Sequence, residues 1–274
     1  MPTNGARHSS LTQTYQERAS QPATSALAAY FLRLIAAKKT NLCVSADVAT
    51  TRELLQIAEE VGDHICLLKT HADIVHDFGQ KTFQDLQAIA KRKGFLIFED
   101  RKFGDIGNTV KLQYTSGPLQ IVRWANIVNA HMFPGPAIVT ALRNLGEPPM
   151  ARGLLLLAQM SSAGNMLDDS YAAKCVEAAR SRPDFVLGFI AQRSLNQLPE
   201  DNFITMTPGV QIGSKGDALG QQYNTPEHVV GAMGTDVVIV GRGIYAAQDR
   251  KAAAAEYRER AWRAYEERVG LRSS

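Results

Sequence analysis

From Leu42 onward the chain alternates short, nearly continuous apolar runs with longer stretches in which apolar residues recur every three or four positions. The runs are Leu42–Asp47, Ile65–Thr70, Phe95–Asp100, Ile127–His131, Leu154–Met160, Phe185–Ala191, Ile204–Pro208 and Val237–Val240. Runs of this kind suit strands buried on both faces. The stretches between them, such as Thr51–Val61, Phe83–Lys93, Tyr171–Arg182 and Ala252–Val269, have the period of amphipathic helices. Strand–helix alternation repeated over eight runs predicts a parallel sheet. A closed (β/α)8 TIM barrel fits that number better than the alternative, a doubly wound open sheet. Ala26–Ala37 reads as a further amphipathic helix, an N-terminal helical extension of the barrel. Residues 1–25, rich in Ser, Thr and Gln, are expected to be a flexible segment, and residues 26–274 one barrel domain.

Composition narrows the partners. The net charge is +3, and basic residues interleave with acidic ones. That pattern argues against the clustered patch that nucleic acid requires and for small-molecule partners. The Ala26–Ala37 run is too short for a membrane span and is interrupted by Arg33. Cys43, Cys66 and Cys175 are odd in number, far apart and in apolar surroundings, which favours a reducing compartment. A cytoplasmic location is the expectation; the alternative is a mitochondrial presequence carrying Arg7 and Arg18 against Glu17.

Active sites of barrels of this type gather where the carboxyl ends of the strands open into loops. Polar residues fall at those ends: Ser45 and Asp47 after the first run, Lys69 and His71 after the second, Asp100 and Lys102 after the third, Ser161 after the fifth and Gly241-Arg242-Gly243 after the eighth. Glu99-Asp100-Arg101-Lys102-Phe103-Gly104-Asp105 places five charges in seven residues. In an extended segment Asp100 and Lys102 point to one side and Glu99 and Arg101 to the other. Lys69 is placed to meet the first pair. Alternating carboxylates and ammonium groups hold one another ionised. A fixed ammonium beside a carbon that loses CO₂ could stabilise the carbanion and deliver the replacing proton, which makes Lys102 the candidate donor. The bland reading is a salt-bridged strand end leading into the next helix, with Asp105 as its N-cap.

Gly241-Arg242-Gly243 ends the last strand with glycines that would let backbone amides approach an anion and an arginine to grip it, a phosphate-site pattern, although short glycine motifs also make plain turns. The stretch Gly209–Tyr223, with Gly209, Gly213, Gly216 and Gly220, is long for a βα turn. It reads as a lid over the phosphate or as a surface loop.

Lys69-Thr70-His71-Ala72-Asp73-Ile74, Phe98–Thr109, Thr207-Pro208-Gly209-Val210, Gly216–Tyr223 and Val240-Gly241-Arg242-Gly243 together resemble the orotidine 5′-phosphate decarboxylase family. The similarity runs from about Leu42 to Gly270 in motif order and is greatest to the eukaryotic form, in either the monofunctional enzyme or the decarboxylase half of UMP synthase, with the monofunctional type expected. The resemblance implies a homodimeric barrel that converts orotidine 5′-monophosphate to UMP and CO₂ without metal or cofactor. It implies a catalytic array of Lys69, Asp100, Lys102 and Asp105, with Asp105 and Thr109 entering the partner subunit's site. It further implies Ser45, Asp47 and His71 around the ribose, Ser161 and Gln221 at the pyrimidine, Gln221, Tyr223, Gly241 and Arg242 at the phosphate, and Pro208 in the substrate-binding set. Two residues depart from the family pattern: Gly104, where alanine is usual, and Gln159, where glutamate is common. Two other functions compete. One is a related Mg²⁺-dependent barrel decarboxylase sharing Asp-x-Lys-x-x-Asp; the other is a catalytically silent phosphate-ligand binder.

Overall fold

The computed structural model describes residues 7–145, 150–213 and 223–272. Parallel strands β1 (Leu42–Ser45), β2 (Leu67–Thr70), β3 (Leu96–Phe103), β4 (Ile127–Ala130), β5 (Gly153–Leu157), β6 (Val186–Ile190), β7 (Ile204–Thr207) and β8 (Val237–Val240) pair in chain order, and β8 returns to β1 to close the barrel. Each expected apolar run overlaps one of these strands, although β3 continues past the expected end at Asp100 and β5 begins one residue before Leu154, and the closure excludes the open-sheet alternative. Every strand residue is buried except Asp100, Arg101 and Lys102 near the end of β3.

The helices are α1 (Ser9–Thr12), α2 (Tyr15–Ala19), α3 (Ala26–Lys38), α4 (Thr51–Val61), α5 (Gln80–Lys93), α6 (Gly107–Thr115), α7 (Ala137–Arg143), α8 (Asp169–Ser181), α9 (Arg242–Tyr245) and α10 (Arg250–Arg268). Local sequence explains their starts and faces. In α4 the Thr50 hydroxyl accepts the Glu53 amide as N-cap, and Leu54, Ile57, Ala58 and Val61 form the buried stripe. In α8 the carboxylate of Asp168 accepts the Tyr171 amide, and Ala172, Cys175, Val176 and Ala179 face inward.

The expectation of flexibility over residues 1–25 is corrected for residues 7–25. The connection from β6 to β7 contains no α-helix, and the N-terminal segment docks onto it. The His8 ring contacts the Leu198 carbonyl, and the Asn196 amide donates to Ser10 Oγ. Buried Arg18 binds Asp236, Asn202 Oδ1 and the Phe203 carbonyl, and the Tyr15 hydroxyl donates to the Asp236 carbonyl. The polar residues that suggested disorder are helix caps. Thr14 and Glu17 form a reciprocal capping box on α2, and Ser25 caps α3.

Arg18→Ala removes the main charged partner of a buried carboxylate, leaving Asp236 with the Thr205 amide at 2.9 Å and Arg268 at 3.6 Å. The expected loss is about 3 kcal/mol of stability, read as a lowered denaturant midpoint. Unchanged stability would show that the segment merely lies on the surface.

Candidate active site

One pocket opens at the carboxyl ends of the strands. Its wall includes Ser45, Asp47, Lys69, Asp100, Lys102, Ser161, Pro208, Tyr223, Gly241 and Arg242. The first three strands supply the charges. Ser45 Oγ donates to Asp47 Oδ1 at 2.6 Å, and Lys69 Nζ lies 3.5 Å from that oxygen and 2.8 Å from Asp100 Oδ2. Lys102 Nζ lies 2.7 Å from Asp100 Oδ1. Side chains from three strands therefore make one chain of alternating sign, Asp47–Lys69–Asp100–Lys102. His71 Nε2 supports it, 2.8 Å from Lys69 Nζ and 3.3 Å from Asp100 Oδ2.

The surroundings fix the charge states. Burial acts to raise the Asp100 pKa, but the Lys69 ammonium, the His71 ring and the Lys102 ammonium outweigh it and hold the carboxyl well below the usual carboxylate range. Burial likewise acts to lower the Lys69 pKa, and the carboxylates of Asp100 and Asp47 reverse the sign and raise it. Asp100 and Lys69 are therefore ionised at neutral pH, each compensating the other.

Asp100 and Lys102 do meet on one side, but not through a regular extended strand. Glu99 pairs with Val128 and Phe103 with Ala130, so residues 100–102 bulge opposite the single residue Asn129. Lys102 has φ 49°, in the left-handed region, which costs a non-glycine residue about 1–2 kcal/mol. Asn129, 1% exposed, accepts the Lys102 amide on Oδ1 at 2.7 Å and donates from Nδ2 to Asp100 Oδ1 at 2.6 Å. Sequence reasoning missed Asn129, although a lone amide inside the apolar run Ile127-Val128-Asn129-Ala130 was a signal for it.

Glu99, fully buried on the other side of β3, accepts the Thr70 hydroxyl at 2.6 Å and the Ala72 amide at 3.0 Å. It thereby ties β3 to the turn carrying Lys69 and His71. Burial pushes its pKa up to about 8, against the pull of those two hydrogen bonds. Its role was not visible in sequence.

The opposite wall comes from β5 to β8. Arg242 Nη2 donates to the Tyr223 hydroxyl, with the guanidinium carbon 5.9 Å from the centre of that ring. The glycines beside Arg242 differ in role. Gly241 lines the pocket, whereas a Cβ on Gly243 would come within 2.3 Å of the Tyr257 hydroxyl. Gly243 thus has a packing reason against α10 for lacking a side chain. The Tyr257 hydroxyl also accepts the Ile212 amide, anchoring the start of the loop after β7. Gly209 and Gly213 have φ of 75° and 81°, and the Asn224 amide donates to the Gly209 carbonyl to close the base of that loop. Gln221, Gly216 and Gly220 lie outside the described residues.

Asp105 and Thr109 do not line this pocket. Asp105 Oδ1 accepts the amide of Ile106, the actual N-cap residue of α6, so the N-cap reading of Asp105 is corrected: the chain turns one residue later than that reading assumed. The two departures have local explanations. A Cβ on Gly104 would sit 3.0 Å from Phe133 Cζ, so here an aromatic ring edge takes the space of a methyl group. Gln159 Oε1 accepts the Gln192 amide at 3.0 Å, a contact that needs only an acceptor. Among the described residues no group of three or more His, Cys, Asp or Glu side chains is arranged to hold a metal ion.

A closed (β/α)8 barrel whose strand ends hold carboxylates and ammonium groups in alternation, with an arginine across the same pocket, has the layout of a barrel enzyme with its site at the carboxyl ends of the strands. A family model described as orotidine 5′-phosphate decarboxylase / HUMPS family matches residues 40–257. The chain is 69% identical over 260 residues to an orotidine 5′-phosphate decarboxylase of Aureobasidium pullulans, spanning 95% of this chain and 96% of that one. It is 48% identical to the uridine 5′-monophosphate synthase of Bos taurus, over 94% of this chain and 53% of the relative. Among solved structures, orotidine 5′-monophosphate decarboxylase from Methanocaldococcus jannaschii complexed with inhibitor BMP shares the fold, with a TM-score of 0.60 at 23% identity over 81% of this chain and 98% of that one. This chain belongs to the orotidine 5′-phosphate decarboxylase / HUMPS family.

Glu99 makes the stability of the fold pH-dependent. With a folded pKa near 8 against an ordinary 4.5, the native state keeps a proton that the unfolded chain has released. The associated stability is complete below the ordinary value and is lost as pH rises toward 8. Glu99→Gln should gain on the wild type by up to about 1.4 kcal/mol per pH unit across that window and then level off. Urea titrations of both proteins from pH 5 to 9 check this, and parallel curves would count against a neutral Glu99.

Proposed function

We propose that this chain converts orotidine 5′-monophosphate to UMP and CO₂, the last step of de novo UMP synthesis, with Lys102 as the proton donor. The observation that carries this reading is the Lys102 ammonium, held 2.7 Å from a buried carboxylate in the wall of the pocket. β3 and β7 stand half a turn apart in an eight-strand barrel. An anionic group near Tyr223, Gly241 and Arg242 therefore leaves the far end of a substrate at Asp100 and Lys102. Ser45, Asp47 and His71 then fall beside the ribose, and Ser161 and Pro208 beside the pyrimidine. Gln221 would join the phosphate and pyrimidine contacts.

In the reaction the bond from the ring carbon to the carboxylate breaks, its electron pair stays on the ring carbon, and CO₂ departs. The Lys102 ammonium stabilises that pair and transfers a proton to the carbon, and the resulting amine regains its proton from solvent. The stabilising charge is in place before the bond breaks, so no reorganisation is needed as the carbanion forms. Phosphate binding contributes remotely, holding the ring where Lys102 can act.

The protein acts as a homodimer in which Asp105 and Thr109 reach the partner's site. Both lie outside their own pocket, beside exposed Ile106 and Leu112, apolar residues suited to burial against a second copy. The three cysteines are buried and free, and among the described residues no helix is long and apolar enough to cross a membrane. The cysteine state supports a reducing, cytoplasmic setting.

Lys102→Ala is expected to abolish UMP formation while circular dichroism stays native. Activity should survive EDTA; loss that Mg²⁺ restores would favour the metal-dependent barrel decarboxylase, and absence of turnover in the wild type would favour a silent binder. Arg242→Ala should raise KM, through loss of about 1.5–3 kcal/mol of charge-assisted contacts, and an unchanged KM would remove Arg242 from the phosphate site. Mixing inactive Asp105→Ala and Lys102→Ala subunits should restore part of the activity, and no recovery after subunit exchange would argue against shared sites.

A further inference from the structure

We propose that Asn129 is a positioning residue for the decarboxylation, holding Lys102 in its left-handed backbone conformation and orienting Asp100 toward it. The inference rests on the reading of Lys102 as the proton donor. Three residues of β3, 100–102, stand against the one position of Asn129 in β4. The strand ladder has no regular partner for the Lys102 amide there, and Asn129 Oδ1 accepts it at 2.7 Å. Held in this way at φ 49°, Lys102 turns back so that its ammonium reaches Asp100 Oδ1 at 2.7 Å. The Asn129 Nδ2 donates to that same oxygen at 2.6 Å. Backbone amide, carboxamide, carboxylate and ammonium thus close a ring through two catalytic side chains.

The carboxamide is the group this ring requires. Its oxygen faces a donor and its nitrogen faces an acceptor, so flipping it would set nitrogen against N–H and oxygen against carboxylate. At 1% exposure neither repulsion would be relieved by water. Aspartate has the same shape and could still accept the Lys102 amide, but it would press a second carboxylate against Asp100. Two carboxylates in such contact share a proton, which would neutralise the anion that orients Lys102. Alanine would release both contacts. A displacement of about 1 Å at a reacting group costs on the order of 100-fold in rate.

The test compares wild type, Asn129→Ala and Asn129→Asp. Asn129→Ala should lower kcat about 100-fold, with KM for orotidine 5′-monophosphate changed less than about threefold, because the phosphate wall is untouched. Asn129→Asp, which keeps the volume, should lose kcat near neutrality and shift the acid limb of its pH–rate profile upward. A residue that only stabilises the barrel would lower the melting temperature of either variant and leave kcat and the pH profile alone; that result overturns the proposal. If Asn129→Ala does not fold, the Asn129→Asp profile decides. If wild type itself forms no UMP, the decarboxylation reading falls, and a crystal structure of Asn129→Asp decides positioning separately. Loss of the left-handed Lys102 or of its contact with Asp100 would support positioning; retention of both would overturn it.

Discussion

The carboxylate of Asp100 is the interaction on which the site depends. A buried anion is tolerated only where donors surround it, and this one meets Lys69, Lys102 and Asn129 within 2.8 Å, with His71 just beyond. Without it, Lys69, whose side chain is 7% exposed, would be a buried ammonium left with the half-exposed Asp47. Lys102 would have nothing to bend toward. One carboxylate therefore sets the charge of one lysine and the direction of another, and the side chains of three strands become a single electrostatic unit.

That unit sits in a frame that does not need to move to form it. All eight strands are buried along their length apart from Asp100, Arg101 and Lys102. Within β3 the departure from regular pairing falls at residues 100–102, which carry two members of the charged array. Strain of that kind persists only where the surroundings over-determine it. Here the closure of the barrel, the Asn129 carboxamide and the Glu99 contacts to the β2 turn supply that constraint.

The frame was largely legible in the sequence because strands buried on both faces must be apolar throughout, and every expected run overlaps a strand. The charges at the strand ends were legible for the complementary reason: Lys69, Asp100 and Lys102 interrupt apolar runs where the barrel opens. Other features depend on partners distant in the chain. Thr14 and Ser25 resemble disordered sequence until the helices they cap are seen, and Arg18 resembles a surface charge until Asp236 lies beside it. Gly243 resembles part of an anion loop, yet its constraint comes from Tyr257 on α10. Strand alternation rightly separated Glu99 from Asp100 but held no information about the bulge, which arises from pairing with β4.

Glu99 and Asp100 adjoin in sequence, the first fully buried and the second with an 11% exposed side chain, and have opposite fates. Ammonium groups face Asp100 and keep it ionised, whereas Glu99 has a hydroxyl and one amide, and its pKa is pushed up to about 8. The difference matters to the charge balance of the reaction. The formal charges of Asp47, Lys69, Asp100 and Lys102 sum to zero, so a substrate carboxylate beside them brings that array to one net negative charge. In the proposed reaction, in which Lys102 would give its proton to the ring carbon as CO₂ leaves, the total stays at one negative charge until the amine is reprotonated. An ionised Glu99 beneath the same strand would add a second negative charge throughout, opposing substrate entry and carbanion formation alike. Burying Glu99 as a neutral acid lets it brace the turn that carries Lys69 without adding to the field that Lys102 must overcome.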